Sequence, residues 1–436
     1  MAYTAIICRL TNVRPHPNGD YLKLAEAAGS HIIVGLEKQE GDLGILFPTD
    51  GQLSVEFCKN NNLFRDSSKN KDTSKKGLFD DNRRVKTQKI RGEKSDGFWI
   101  EIESIGYTGH IAQEGDEFCE LSGFKICDKY ISKETRNALA KKANQPKAVK
   151  ENIIMFKEHF DTPQFDRNFR SIKLNDELVI TEKLHGTSQR NANVKVRRVL
   201  SLKEKIAKWL GLNVNETHYI HLAGTRRVVL NKPTTKSFHD PSIREYANNL
   251  FDGQLHKGET VYSEIVGYEN DKPIMSPCDI KLLKDKEFEK TWKSKVVDDK
   301  MIFSYGTQFG ECDVYVYRIT FTNEDGVQYD YSWDDVVERC KELGVKAVPV
   351  LWRGKISDLP NESTDDRDIY TPFRDLVTTL SSGRSLLDDK HIKEGVIISV
   401  QGRGFTPEVY KYKSFEFKVL EGIIKDSGVL DEEESN

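Results

Sequence analysis

Apolar and polar positions alternate in short bursts through the first 138 residues. Ala5-Ile6-Ile7-Cys8, His31-Ile32-Ile33-Val34, Leu43-Gly44-Ile45-Leu46-Phe47 and Phe98-Trp99-Ile100 each read as a strand. Turn chemistry separates them, most clearly at Pro15-His16-Pro17-Asn18-Gly19-Asp20 and Gly41-Asp42. Many short strands punctuated by glycine predict a small β-barrel. Residues 65–77 are polar and poor in hydrophobes, which predicts a mobile loop. Residues 132–152 are lysine-rich and broken by Pro146, which predicts a short helix and then a linker, with a domain boundary near 150.

Beyond Ile172 the pattern changes to a mixture of strands and helices. Leu178-Val179-Ile180 is a buried-strand run, and helical periodicity marks residues 200–212, 242–255 and 333–343, the last closed by Gly344. Val314, Tyr315, Val316 and Tyr317 form a strand with two different faces. From Asp426 the chain is acidic and has few apolar residues, which reads as a frayed tail. The pattern divides the chain into domains at 1–138 and 153–426, with a linker at 139–152 and a tail at 427–436.

Composition narrows the class. A chain of 436 residues, 37% hydrophobic and 31% charged, has room for two or three domains with a charged surface. Its mean hydropathy of −0.59 fits a soluble protein. No apolar run is long enough to cross a bilayer, and Met1-Ala2-Tyr3-Thr4 opens a strand rather than a signal peptide, so a cytoplasmic protein without membrane partners is expected. The seven cysteines are scattered without a CxxC pair, which argues for reduced thiols and against a zinc site or a disulfide framework. With a net charge of −3, any nucleic-acid site must be a local concentration of lysine and arginine.

One stretch carries candidate chemistry. In Thr181-Glu182-Lys183-Leu184-His185-Gly186-Thr187-Ser188 a lysine follows the apolar strand and precedes a glycine turn. A surface lysine titrates near about 10.4 and is a poor nucleophile, so a catalytic one needs desolvation or cationic neighbours. An ordered series follows: Thr225-Arg226-Arg227, Tyr262-Ser263-Glu264-Ile265-Val266-Gly267, Tyr315-Val316-Tyr317-Arg318-Ile319, Lys393-Glu394-Gly395-Val396-Ile397 and Lys411-Tyr412-Lys413-Ser414. This order resembles the covalent nucleotidyltransferase superfamily of ATP-dependent ligases and RNA capping enzymes, and its K-x-H-G box is most similar to RNA ligases.

The resemblance implies three phosphoryl transfers: Lys183 takes AMP from ATP, AMP passes to a polynucleotide 5′-phosphate, and a 3′-hydroxyl then displaces it. Positioning and charge neutralisation must supply most of the rate. Lys411 and Lys413 alternate on one strand, so both ammonium groups can reach the α-phosphate from one face. Their charge would also disfavour a protonated Lys183, and a fall of about three pKa units requires roughly 4 kcal/mol. Glu264 and Glu394 sit in apolar strand ends, where a carboxylate needs a cation or hydroxyl partner. By resemblance Glu264 binds the ribose and Glu394 helps hold Mg²⁺ or Mn²⁺, with Glu264 a second candidate metal ligand.

Tyr317 and Ile397 would sandwich the adenine, with Tyr315 as the alternative ring. Arg226 or Arg227 matches the ribose and phosphate arginine, the backbone at Glu182 would read the base, and Ser188 stands where relatives contact the 5′-phosphate. Many nick-sealing RNA ligases carry asparagine at that position and many DNA ligases arginine. His159, in Phe156-Lys157-Glu158-His159-Phe160-Asp161-Thr162, reads as a packed residue, with contact to a substrate phosphate the alternative.

The basic run holding Arg83, Arg84, Lys86, Lys89 and Arg91 is interleaved with apolar and small residues. Together with the HPNGD segment, the later K-I-R-G-x-x-S-x-G segment resembles OB-type tRNA-binding domains, which implies that these basic residues bind RNA. Little follows Lys413-Ser414-Phe415-Glu416-Phe417, so the nucleic-acid domain lies at the amino terminus. That arrangement resembles the Naegleria and Deinococcus type of RNA ligase, with extra length between residues 190 and 223 and after Pro277.

The implied fold is α+β: an OB-like barrel, then a nucleotidyltransferase (ATP-grasp-like) domain of antiparallel sheets flanked by helices. The implied function is ATP-dependent RNA repair by a monomer that seals 3′-OH/5′-PO₄ nicks in duplexes with an RNA 3′-OH end. A DNA ligase and a tRNA-binding cofactor without catalysis are the alternatives.

Overall fold

The computed structural model describes residues 3–133, 135–137, 156–197, 200–226, 229–230, 241–360, 369–402 and 408–426. The expected linker at 139–152, the tail at 427–436 and Arg227 lie outside the described residues. The chain forms two compact units: Met1–Lys133 with Gln164–Phe169 and Phe415–Val429, and Glu134–Pro163 with Arg170–Ser414 and Leu430–Asn436.

In the first unit β1 (Ala5–Pro15), β2 (Leu22–Ala27), β3 (Ser30–Gly35), β4 (Leu43–Pro48) and β5 (Gly97–Glu101) pair antiparallel in the order β3-β2-β1-β4-β5. A short strand, Glu117–Phe118, adds to β1, and the whole curls into a nearly closed, barrel-like sheet. The period-2 pattern explains why both faces are covered. Ile7, Ile45 and Phe47 pack on one side with Phe57 and Leu53, while Ile6, Cys8, Leu10, Leu46 and Trp99 pack on the other. A register shift between Thr11 and Arg14 bends β1 where it pairs with β2.

The HPNGD segment docks on a hairpin of Gln88–Ile90 and Glu93–Ser95. His16 Nε2 contacts the Ile90 carbonyl at 3.1 Å, and Asn18 and Arg91 exchange hydrogen bonds between side chain and backbone. Arg91 (φ 50°) and Gly92 (φ 95°) both occupy left-handed backbone at the hairpin turn, as a type I′ turn requires.

Two expectations change here. Residues 65–77 close on themselves: buried Asn70 accepts from the Phe64 N–H and donates to the Phe64 and Lys75 carbonyls, so this segment is not the open loop its polarity suggested. The helix Phe415–Asp426, expected within the second domain, groups with the first unit. Lys418 pairs with Asp96 at 3.2 Å and Lys94 with Glu416 at 3.4 Å.

The second unit holds two antiparallel sheets. The smaller orders β11 (Val350–Gly354), β6 (Leu178–Lys183), β12 (Gly395–Val400) and β13 (Glu408–Lys413). The larger is built on β8 (Thr217–Gly224), β7 (Thr187–Arg197), β9 (Glu259–Glu269) and β10 (Cys312–Thr322), neighbours in that order. The helix over 333–343 forms as predicted, with a Ser332/Asp335 capping box and Gly344 at φ 67°. Residues 202–209 are also helical, but their apolar face points outward, with Leu202, Ile206 and Trp209 exposed. All seven cysteines are free, and no helix among the described residues is long and apolar enough to cross a membrane.

Candidate active site

Lys183 ends β6, whose Leu178, Val179 and Ile180 are fully buried at the centre of the smaller sheet. Four residues later Thr187 opens β7 of the larger sheet, so the chain crosses between sheets over Leu184-His185-Gly186. A methyl group on Gly186 would collide with the Ile265 carbonyl, which is why the crossing needs glycine. Gly395 pairs with Lys183 on one side and Lys413 on the other. A side chain there would strike the Tyr412 carbonyl, so this glycine also permits the close packing of the strands that carry both lysines.

The charges converge on Glu394, which is completely buried. Lys183 Nζ lies 2.6 Å and Lys413 Nζ 3.3 Å from its Oε1, and His185 Nδ1 is 3.8 Å from Oε2. Neither carboxylate oxygen accepts a hydrogen bond of good geometry. Buried acceptors in that state suit a cation. The nearest charge to Lys183 is therefore an anion, whereas the sequence pointed to lowering by cations. Glu264 lies on β9 of the other sheet, opposite Ser188, and among the described residues no three His, Cys, Asp or Glu side chains gather as a metal site.

A cavity of about 480 Å³ opens beside Lys183 and is also lined by Glu182, Ser188, Arg226, Glu264, Tyr317, Ile397 and Lys411. Ile397 and Lys411 are cross-strand partners on β12 and β13. The pairing of β9 with β10 steps from Tyr262↔Arg318 to Ser263↔Val316, leaving Tyr317 as the extra residue of a β-bulge. Tyr317 thus faces the cavity, while Tyr315 is buried elsewhere with Lys346 over its ring. Burial pushes the Tyr317 hydroxyl well above its usual range, with Glu264 adding to the effect.

Glu182 donates its N–H to the Pro349 carbonyl and accepts the Leu386 N–H at 2.9 Å on its buried carboxylate, which burial holds above the ordinary range. Burial lowers Lys393, against the opposing pull of Glu182. Arg226 pairs with Asp161 at 2.7 Å.

Sequence reasoning did not assign several residues that hold these walls. Arg244 is buried and donates to the Ser188 carbonyl (2.7 Å) and Thr187 Oγ1 (2.6 Å), and burial brings its guanidinium down to about 10. Arg190 stacks on Phe156 at 4.1 Å and donates to the Thr225 carbonyl at 2.8 Å. Arg318 lies over both Phe160 and Tyr262 and pairs with Asp330. Tyr305, at φ 52°, accepts the His185 N–H at 2.6 Å and donates its own N–H to His391. Each acts through a partner distant in sequence, so no local pattern marks it.

The basic residues of the first unit divide. Arg84 is buried, bonded to Asp50 and the Gly422 carbonyl, and Arg83 donates to the Leu53 and Asp81 carbonyls. Buried Arg84 is thus turned inward, whereas Arg83 is half-buried, with Nε and Nη1 on those carbonyls. Lys89 and Arg91 are exposed, and Lys86 is half-buried.

Comparison with characterised sequences gives no match. Solved structures do match. Apo Naegleria gruberi RNA ligase, as a point variant, superposes with a TM-score of 0.57 at 15% identity, covering 96% of this chain and 97% of that one. Another variant of the same ligase, with ATP and Mn, gives 0.56 at 14% identity, covering 95% and 98%. A third, with AMP and Mn, gives 0.57 at 14%, covering 95% and 97%. These likenesses show a shared fold. The family profile described as RNA ligase matches residues 176–413, the span from before the Lys183 strand to Lys413, and the chain belongs to the RNA ligase family.

Proposed function

We propose that this RNA ligase is ATP-dependent and works through a lysyl-AMP intermediate on Lys183. The observation that carries the reading is the convergence of Lys183 and Lys413 on buried Glu394 at the edge of a nucleotide-sized cavity. ATP and divalent metal are taken from the likeness to the Naegleria enzyme, whose structures contain ATP, AMP and Mn.

In the first step Lys183 Nζ forms a bond to the α-phosphorus, the bond to the bridging oxygen of pyrophosphate breaks, and the lysine loses a proton. A 5′-phosphate oxygen of RNA then attacks the same phosphorus and releases Lys183. Finally a 3′-hydroxyl attacks the activated 5′-phosphate and AMP departs. Tyr317 and Ile397 would clasp the adenine, Glu264 would accept from ribose hydroxyls, and Arg226 would meet ribose or phosphate. Lys411 in the cavity wall and Lys413 beside Glu394 would neutralise the transferring phosphate, and Ser188 would meet the 5′-phosphate of the RNA. The orphaned oxygens of Glu394 would hold Mg²⁺ or Mn²⁺, which supplies further neutralisation at the phosphates when bound.

The substrate we infer is a nick in a duplex with an RNA 3′-OH end, and exposed Lys89 and Arg91 together with Lys86 would meet its backbone. Seven free cysteines suit the reducing cytoplasm.

The deciding experiment incubates the protein with α-labelled ATP and divalent metal and follows label through denaturing electrophoresis. Wild type should retain label and Lys183→Ala should not. Sealing of nicked duplexes that differ only in ribose or deoxyribose at the 3′-OH end then tests the substrate; equal sealing of all-DNA nicks would overturn the RNA assignment.

A further inference from the structure

His159 lines the nucleotide cavity, and its ring is held from several directions. It stacks on Phe160 (centroids 4.9 Å apart, planes 17°) and meets Tyr262 and Tyr317 edge-on at 5.3 and 5.6 Å. The backbone N–H of His159 donates to the Arg226 carbonyl at 3.2 Å, and the ring Nδ1 lies 2.7 Å from the Phe160 carbonyl. A carbonyl only accepts, so Nδ1 carries the hydrogen. Burial, reinforced by the guanidinium groups of Arg318 and Arg226, pushes the imidazole down to about 3, so the ring is neutral at physiological pH.

Nε2 is then a bare lone pair. It has no hydrogen-bond partner among the described residues and is not sealed within the protein, and the residue that carries it lines the cavity. A neutral imidazole with its hydrogen on Nδ1 presents an acceptor, not a donor, at Nε2. What can satisfy Nε2 is a donor.

We propose that His159 is a specificity-determining residue whose Nε2 accepts a hydrogen bond from a donor of the adenosine moiety, either a ribose hydroxyl or the 6-amino group of adenine. The inference rests on the ATP reading above. Its neighbours support the placement, because Tyr317 is the ring proposed to stack on the base and Glu264 the carboxylate proposed for the ribose.

The test measures the rate of Lys183 adenylylation with ATP, 2′-deoxy-ATP, 3′-deoxy-ATP and purine riboside triphosphate, which lacks the 6-amino group. Wild type and His159→Phe are compared; phenylalanine keeps the stacked ring and removes the acceptor. His159→Leu, which likewise lacks an acceptor, is a second variant in case the first folds poorly. Wild type should disfavour the analogue lacking the recognised donor by roughly ten-fold, and His159→Phe should lose that preference while slowing with ATP by a similar factor. Loss confined to a deoxy analogue assigns the ribose, and loss confined to purine riboside assigns the base. If the analogue-to-ATP ratios are the same in wild type and in folded variants, the inference is overturned while the ATP reading stands. If wild type takes no label from ATP at all, the ATP reading fails first and this one with it.

Discussion

Lys183 and Glu394 form a 2.6 Å ion pair in a site where Glu394 is fully buried and Lys413 shares the same carboxylate oxygen. The ion pair engages the amine that the proposed chemistry needs as its nucleophile. Anything that draws Glu394 toward another cation loosens that hold. Replacing Glu394 with glutamine leaves two half-buried cations without the carboxylate they share, which should cost stability by about 2–4 kcal/mol. It should also cut adenylylation by roughly 10²-fold or more. Denaturant midpoints and label retention check this, and adding Lys183→Met should restore part of the lost stability, since one of the two cations is gone.

The bulge at Tyr317 gives it a different setting from Tyr315: one lines the cavity, the other does not. Tyr317→Ala should raise the KM for ATP by about ten-fold through loss of a stacking face. Tyr315→Phe should leave that KM within about two-fold, since its ring contacts Lys346 and not the cavity. Steady-state kinetics on the two variants distinguish them.

Arg244 ties down the backbone immediately after the nucleophile loop. Arg244→Met removes two charge-assisted hydrogen bonds and should lower stability by about 2–4 kcal/mol. It should also slow sealing of pre-adenylylated RNA, because Ser188 loses its anchor. Arg244→Lys, able to keep one of the bonds, should recover part of the stability, and chemical denaturation beside single-turnover sealing reads both effects.

Acid should weaken the fold through buried neutral histidines. His159, lowered by burial from 6.5 to about 3, stays unprotonated in the native state while the unfolded chain takes up a proton. Its stabilising contribution is fully present above pH 6.5 and is lost as pH falls toward 3; burial lowers His391 in the same direction. Denaturant unfolding at pH 7.5 and 5 should show lower stability at pH 5, and His159→Gln should flatten the difference.

Lys89 and Arg91 should behave unlike Arg84. Alanine at either exposed position should weaken RNA binding and reduce the salt slope by about one. Arg84→Ala should leave the slope alone and destabilise the first unit by about 2–4 kcal/mol, since its guanidinium is bonded to Asp50 and the Gly422 carbonyl. Filter binding across a salt series, paired with thermal melts, separates the two classes.

What the sequence revealed and what it hid follow the range of each interaction. The strand before Lys183 and the helix over 333–343 were legible because burial pattern and caps lie within a dozen residues, as with Ser332, Asp335 and Gly344. The choice between Tyr315 and Tyr317 was not, because two tyrosines two apart share a face unless a bulge intervenes, and the bulge depends on the partner strand. Arg84 looked like surface charge because its partners, Asp50 and Gly422, lie 34 and 338 positions away. The same distance hid the grouping of Phe415–Asp426 with the amino-terminal unit and the roles of Arg190, Arg244 and Arg318.

The extra residue at position 317 makes β10 a strand of two phases. Each half obeys its own alternation, and they are out of step by one. Deleting Tyr317 would heal the ladder into an unbroken run of rungs and would leave a more regular strand with no aromatic wall for a nucleotide. In this molecule, a fault in the sheet accompanies the placing of an aromatic ring in the cavity wall.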